Sequence, residues 1–205
     1  MFKQIHKYLE DSIPNRPQTL REMENYAKEK EFPIVGPLVG RYLYQMAILI
    51  KAKNIFELGS GFGYSAIWFS LAARGKGKII MTDNNKAYKR LALDFFKNAG
   101  LESQFDYKVG DALDTLKKYD GPFDIIFNDI DKHDYPQTID LVAPRLKKGG
   151  LFITDNLLWS GKVMDKLPGK NTKAILEFTS ELYRDGRFYT TIIPIRDGLA
   201  VSVKL

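Results

Sequence analysis

The 205-residue sequence contains no cysteine and only two histidines, His6 and His133. Disulfides, zinc–thiolate sites, iron–sulfur clusters and a thiol nucleophile are thereby excluded. Any bound metal has to be held mainly by oxygen, which favours a hard cation such as magnesium or calcium over zinc or copper. Long apolar runs are also missing: the longest is MAILI, residues 46–50, whereas a membrane span needs about 20 apolar residues. The opening Met-Phe-Lys-Gln-Ile-His does not have the pattern of a secretory signal, so a cytoplasmic protein with no membrane partner is expected. Nor is charge of one sign concentrated. Lysine and arginine number 31 against 25 acidic residues, a net charge of +6, but the basic residues are spread out, with short clusters at Arg145–Lys148 and Lys162–Lys173 and no arginine-rich arm. With 44% hydrophobic and 27% charged residues the composition is that of a globular protein. A chain of this length buries roughly 70% of its unfolded surface, enough for one core without staples, and residues 1–205 are expected to form a single domain.

The pattern along the chain predicts an α/β fold. Apolar, β-branched runs recur at 54–58, 78–82, 105–109, 123–127, 151–154, 189–195 and 199–205. Between the first five lie helical patterns at 64–74, 85–99, 112–118 and 135–147, and three further helical stretches precede them, at 2–12, 18–30 and 36–52. Alternating strands and helices predict a Rossmann-like, doubly wound, mostly parallel seven-stranded sheet over 53–205, with extra N-terminal helices over 1–52. Arg196-Asp197-Gly198 suits a tight reversal, so the last two strands should form an antiparallel C-terminal hairpin. Residues 157–172 are the least patterned and read as a loop or lid beyond a strand's carboxyl end, where such sheets bind ligands.

The first strand runs into NIFELGSGFGYSA, with glycines at 59, 61 and 63. Glycines at a strand–helix junction let the backbone approach a ligand closely. A dinucleotide fingerprint counted from Gly59 wants its third small residue at 64, which is Tyr64, so that reading is weakened. The alternative is the acidic-x-G-x-G-x-G loop of S-adenosylmethionine methyltransferases, with Glu57 as the acidic residue. A carboxylate at a buried strand end needs donors, which the amino group of the cofactor's methionine would supply. Ser65, at the start of the next helix, suits the cofactor carboxylate. Asp83 follows Gly63 by 20 residues and ends the second strand, where a carboxylate can accept both ribose hydroxyls; its competing reading is a helix cap with Asn84. Gly110-Asp111-Ala112 ends the third strand, where it could meet an adenine edge or cap a helix.

The fourth strand ends in FNDIDKHDYP, with three aspartates, a lysine and a histidine in six positions, and the fifth in LFITDNLLW. Asp129, Asp155 and Asn156 are three oxygen donors from neighbouring strand ends, a partial shell for magnesium. Asp131 and Asp134 could instead cap the helix opening at Tyr135-Pro136.

Taken together, ELGSGFGYS, TDNN, GDA, DIDKHDY and DNLLW are similar in order and spacing to the metal-dependent O-methyltransferases that include catechol and caffeoyl-coenzyme A O-methyltransferases. The similarity runs from about Phe32 to the closing IRDGLAVSVKL, where Arg196 stands in place of those enzymes' usual glycine. The resemblance implies a metal site of Asp129, Asp155 and Asn156, with Lys132 and Asp129 catalytic and Lys132 the general base. It places Val35, Glu57, Gly59, Ser60, Gly61, Ser65, Asp83, Asp111, Ala112, Asp129 and Asp131 around S-adenosyl-L-methionine. The implied reaction is methyl transfer to a metal-coordinated hydroxyl of a catechol-like or other small acceptor, by a homodimer. The alternative acceptor is a hydroxylated uridine of transfer RNA. A nicotinamide-dependent oxidoreductase and a non-catalytic nucleoside-binding module are the readings from other classes.

Overall fold

In the computed structural model, which describes residues 2–205, the strands are β1 Asn54–Leu58, β2 Lys78–Asp83, β3 Phe105–Val109, β4 Phe123–Asn128, β5 Leu146–Thr154, β6 Phe188–Ile193 and β7 Leu199–Lys204. They form one sheet in the order β3-β2-β1-β4-β5-β7-β6. Strands β1 to β5 are parallel, and β7 runs antiparallel to both β5 and β6. The order reverses between β1 and β4, and a ligand crevice opens at the carboxyl ends there.

The eight helices are α1 Phe2–Asp11, α2 Gln18–Glu29, α3 Gly36–Leu49, α4 Tyr64–Ala73, α5 Lys86–Asn98, α6 Ala112–Leu116, α7 Tyr135–Val142 and α8 Lys170–Arg184. Side chains alternate across a strand, so each central strand feeds two cores. Ile55, Met81, Ile125, Phe127 and Ile153 face α2 to α5, while Phe56, Leu58, Ile80, Ile126 and Phe152 face α6 to α8. No helix among the described residues is long and apolar enough to cross a membrane.

Strand β5 opens at Leu146 rather than 151 and α3 closes at Leu49 rather than 52; three further differences from the sequence reading each fall at an identifiable residue. The helix expected over 135–147 stops at Val142 and gives way to a 3-10 turn, Ala143–Arg145, because Pro144 cannot continue an α-helical hydrogen-bond ladder. Strand β6 ends at Ile193 rather than 195 because Pro194 has no N–H to donate to β7. The third difference is α8, for which no helix was expected. Its buried Thr172, Ile175, Phe178 and Leu182 recur at helical spacing and seal the face of β5 and β7.

At the end of the sheet opposite the crevice, Asp124 Oδ2 accepts the backbone N–H groups of Lys53 and Asn54 at 2.7 and 2.8 Å, and the other oxygen pairs with Lys147. Desolvation pushes the Asp124 pKa up, but those hydrogen bonds and Lys147 together outweigh it and hold the carboxyl below its usual range. Asp124→Ala leaves two part-buried backbone donors unmet and should cost about 2 kcal/mol in urea unfolding at pH 7. A carboxyl whose folded pKa is depressed stabilises above its unfolded pKa, so the wild-type advantage should be complete above about pH 4 and fade as acid protonates the native group.

Candidate active site

A cavity of about 590 Å³ opens at the carboxyl ends of the parallel strands. Its walls include Val35, Gly59, Ser60, Gly61, Ser65, Asp83, Asp111, Ala112, Asp129, Asp131, Lys132 and Asn156, so twelve of the residues singled out in the sequence share one space. Two do not reach its surface. Glu57 and Asp155 keep none of their accessibility and lie behind the wall. The reason is strand periodicity: Glu57, Asp129 and Asp155 fall on the same side of the sheet as Ile55, Phe127 and Ile153, packed under α2 to α5.

The glycine loop is held in place from three sides. Gly59 has a φ of +79°, and a Cβ on it would come within 2.5 Å of the Asp129 carbonyl oxygen, so the loop and the end of β4 touch backbone to backbone. Asp83 Oδ2 accepts the Gly61 N–H at 3.0 Å and its Oδ1 accepts from Asn85, which itself caps α5 through the Ala87 N–H. The Tyr107 hydroxyl donates to the Gly61 carbonyl at 2.5 Å. Asp83 is therefore a fixed carboxylate on the cavity wall, and the helix cap is Asn85. Asp111 does cap α6, accepting from the Asp114 N–H at 2.8 Å, while still bordering the cavity. Asp131 and Asp134 make no capping hydrogen bond.

On the same cavity wall, Lys132 is buried and donates to Asp129 Oδ1 at 2.8 Å and to the Ile130 carbonyl at 3.1 Å. Its Nζ lies 5.0 Å from the Tyr135 ring centre and 5.8 Å from that of Trp159, so two aromatic faces hold the cation in place. Asp155 Oδ2 accepts from Arg196 at 3.2 Å and its Oδ1 is buried without a partner. Desolvation, reinforced by the charge of Asp129, pushes the Asp155 pKa up to about 7. Desolvation also raises Asp129, against the pull of Lys132 and Arg196. The Asn156 amide nitrogen donates to Asp197 at 3.3 Å, which leaves its carbonyl oxygen free. Among the described residues no group of three or more His, Cys, Asp or Glu side chains gathers as a metal cage. The donor set here is instead two carboxylates and an amide, with an unpaired buried oxygen and mutual repulsion that a cation would relieve. Those features fit a hard divalent ion.

Sequence reasoning did not single out Phe32, Ile34, Asn171 or Arg196 as site residues, yet all four line the cavity. Tyr64, which breaks the dinucleotide spacing, also lines it, and its hydroxyl donates to Glu24 at 2.7 Å, with Arg16 on the same carboxylate.

A doubly wound sheet with an acidic-glycine loop at its switch point, an aspartate closing the second strand and paired carboxylates at the ends of β4 and β5 defines the Rossmann-like methyltransferase class. The O-methyltransferase family profile matches residues 10–205. Caffeoyl-CoA O-methyltransferase 2 of Populus trichocarpa is 32% identical over 98% of this chain and 88% of its own length. Catechol O-methyltransferase of Niastella koreensis is 33% identical over 81% of this chain and 78% of its own. The crystal structure of the O-methyltransferase from Bacillus cereus in complex with SAH shares the fold, with a TM-score of 0.88 at 24% identity, covering 98% of this chain and 97% of that one. The chain belongs to the family of S-adenosylmethionine-dependent O-methyltransferases, and the oxidoreductase and non-catalytic readings are set aside.

Glu57 generates a test that needs no ligand. Burial pushes its pKa up to about 7, the nearby Ser60 and Ser65 hydroxyls pulling only weakly the other way, and neither carboxylate oxygen has a hydrogen bond of good geometry. A carboxyl with a raised folded pKa costs nothing below its unfolded pKa and destabilises increasingly as pH climbs toward the folded value. Glu57→Gln should therefore be more stable than wild type by about 2 kcal/mol at pH 8 and no more stable at pH 4, measured by urea unfolding of the ligand-free protein.

Proposed function

We propose that the protein transfers the methyl group of S-adenosylmethionine to a hydroxyl of a small catechol-like acceptor, with magnesium held by Asp129, Asp155 and Asn156. The observation that carries this reading is the Lys132–Asp129 pair, set in the wall of the same cavity that the glycine loop lines. Gly59, Ser60 and Gly61 would lie against the donor's methionine portion, Val35 beside it, and Glu57 beneath its ammonium. Ser65, at the N-terminal turn of α4, would meet its carboxylate. Asp83 would accept the ribose hydroxyls, and Asp111, Ala112 and Asp131 would border the adenine.

Lys132 takes the proton of the acceptor hydroxyl, and Asp129, hydrogen-bonded to it, keeps the amine aimed. The resulting oxygen attacks the methyl carbon, the carbon–sulfur bond breaks, and S-adenosylhomocysteine leaves with the electron pair. Asp129, Asp155 and Asn156 would hold a divalent cation, which would supply a lowered pKa for the acceptor hydroxyl. The remaining work is alignment of oxygen, carbon and sulfur, which the fixed strand ends supply. Trp159 stands beside Lys132 and offers a flat apolar wall to an aromatic acceptor.

The names of the plant and bacterial relatives favour small hydroxyl acceptors over transfer RNA. We also infer a cytoplasmic homodimer. Exposed Ile5, Tyr8 and Leu9 on α1 and Ile48 and Leu49 on α3 offer an apolar surface for the second copy.

Lys132→Met should lower kcat on a catechol acceptor about a hundredfold or more while S-adenosylhomocysteine affinity by calorimetry stays within roughly threefold. Asp155→Asn should abolish the dependence of the rate on added magnesium. Label transferred from S-adenosylmethionine into bulk transfer RNA, with none into catechols, would replace the small acceptor by RNA.

A further inference from the structure

Arg196 lies in the turn between β6 and β7 with a φ of +49°, a conformation that costs a non-glycine side chain about 1 kcal/mol or more. The turn around it is firmly attached to the segment that follows β5. Leu157 and Leu158 donate to the carbonyls of Gly198 and Asp197 at 3.0 and 2.7 Å, and Asp197 also accepts from the Ser160 N–H at 2.5 Å and from Asn156. The Arg196 backbone therefore stands at a fixed distance from Asp155, and its side chain is aimed.

The guanidinium makes two contacts. Nη1 donates to Asp155 Oδ2 at 3.2 Å, and Nη2 donates to the Ile34 carbonyl at 2.8 Å. Ile34 belongs to the segment 32–35, which walls the cavity just before α3. Asp155 has no accessible surface, whereas Arg196 keeps 30% of its own and borders the cavity. A cation entering from the cavity thus meets Arg196 before it meets Asp155. The same guanidinium lowers the pKa of Asp129 and Asp155 together, so it neutralises the pair from outside.

We infer that Arg196 is a positioning residue that competes with the divalent ion for Asp155 and couples ion binding to the 32–35 segment. Arg196 holds Asp155 Oδ2 and leaves Oδ1 open, but a guanidinium and a divalent cation on one carboxylate repel each other and divide its charge, so Arg196 loosens its hold when an ion binds. In doing so it pulls on or releases Ile34, so the cavity wall beside the methyl donor responds to ion occupancy. The inference rests on the ion site proposed above.

The test is isothermal titration of magnesium chloride alone into the full chain, comparing wild type with Arg196→Gly, whose glycine suits the positive φ, and with Arg196→Gln, which keeps length without charge. Both variants should bind magnesium at least about fivefold more tightly than wild type. In a second titration, magnesium should change wild-type affinity for S-adenosylhomocysteine by about fivefold and that of Arg196→Gly by less than about twofold, since coupling between two sites is reciprocal. Magnesium affinity that is unchanged or weaker in both variants overturns the role of Arg196 and leaves the ion site standing. Absence of magnesium binding in all three proteins overturns the ion site, and this inference with it.

Discussion

Two carboxylates at the ends of neighbouring strands, Asp129 and Asp155, repel each other in a place from which water is largely excluded. Desolvation alone penalises each, and their mutual charge adds to it. The surroundings read as responses to that conflict. Lys132 is buried against Asp129, two aromatic rings stand over the lysine, and Arg196 reaches across from the hairpin to Asp155. A chain that needed only a stable core would place apolar residues there. Retaining the charges makes the site a poor contributor to stability, which the cation proposed above would offset.

The sheet makes the arrangement possible through two simple periodicities. Side chains alternate, so residues 57, 129 and 155 share a face with the α2–α5 core, and the parallel register sets the ends of β1, β4 and β5 level. The backbone ladder continues one residue past the strands, Asp129 donating to Leu58 and Asp155 to Asn128, which fixes both carboxylates relative to the glycine loop. A site whose carboxylates stand at positions 57, 129 and 155 is thus assembled by backbone hydrogen bonds before any side chain is considered.

Much of this was readable from residue pattern. Apolar, β-branched runs located all seven strands, and the mixed sheet with its closing hairpin followed from the alternation of strands with helices and the Arg196-Asp197-Gly198 turn. The acidic residues at successive strand ends pointed to the crevice because a fold of this type leaves them nowhere else to converge. What escaped had physical causes. Helix α8 lies in a lysine-rich stretch whose Thr172, Ile175, Phe178 and Leu182 stripe is broken by polar neighbours, so surface composition masked its inner face. Depth was also hidden: sequence placed Glu57 and Asp155 at the ligand, whereas packing under α2 to α5 sets both behind the wall. Arg196 was noticed only as a departure, since nothing local says that its guanidinium meets Asp155, 41 residues earlier, and the carbonyl of Ile34, 162 residues earlier.

The Arg16–Glu24–Tyr64 chain carries a consequence for anyone recombining this scaffold. Arg16 grips Glu24 through both carboxylate oxygens, and Glu24 in turn fixes the ring that begins α4 directly after the glycine loop. The short linker ahead of α2 is therefore electrically wired to the donor pocket. A chimera that joins the sheet of this protein to a foreign N-terminal segment inherits a half-buried glutamate with no counter-charge, pressed against a phenol, unless the donor segment brings its own arginine to that spot.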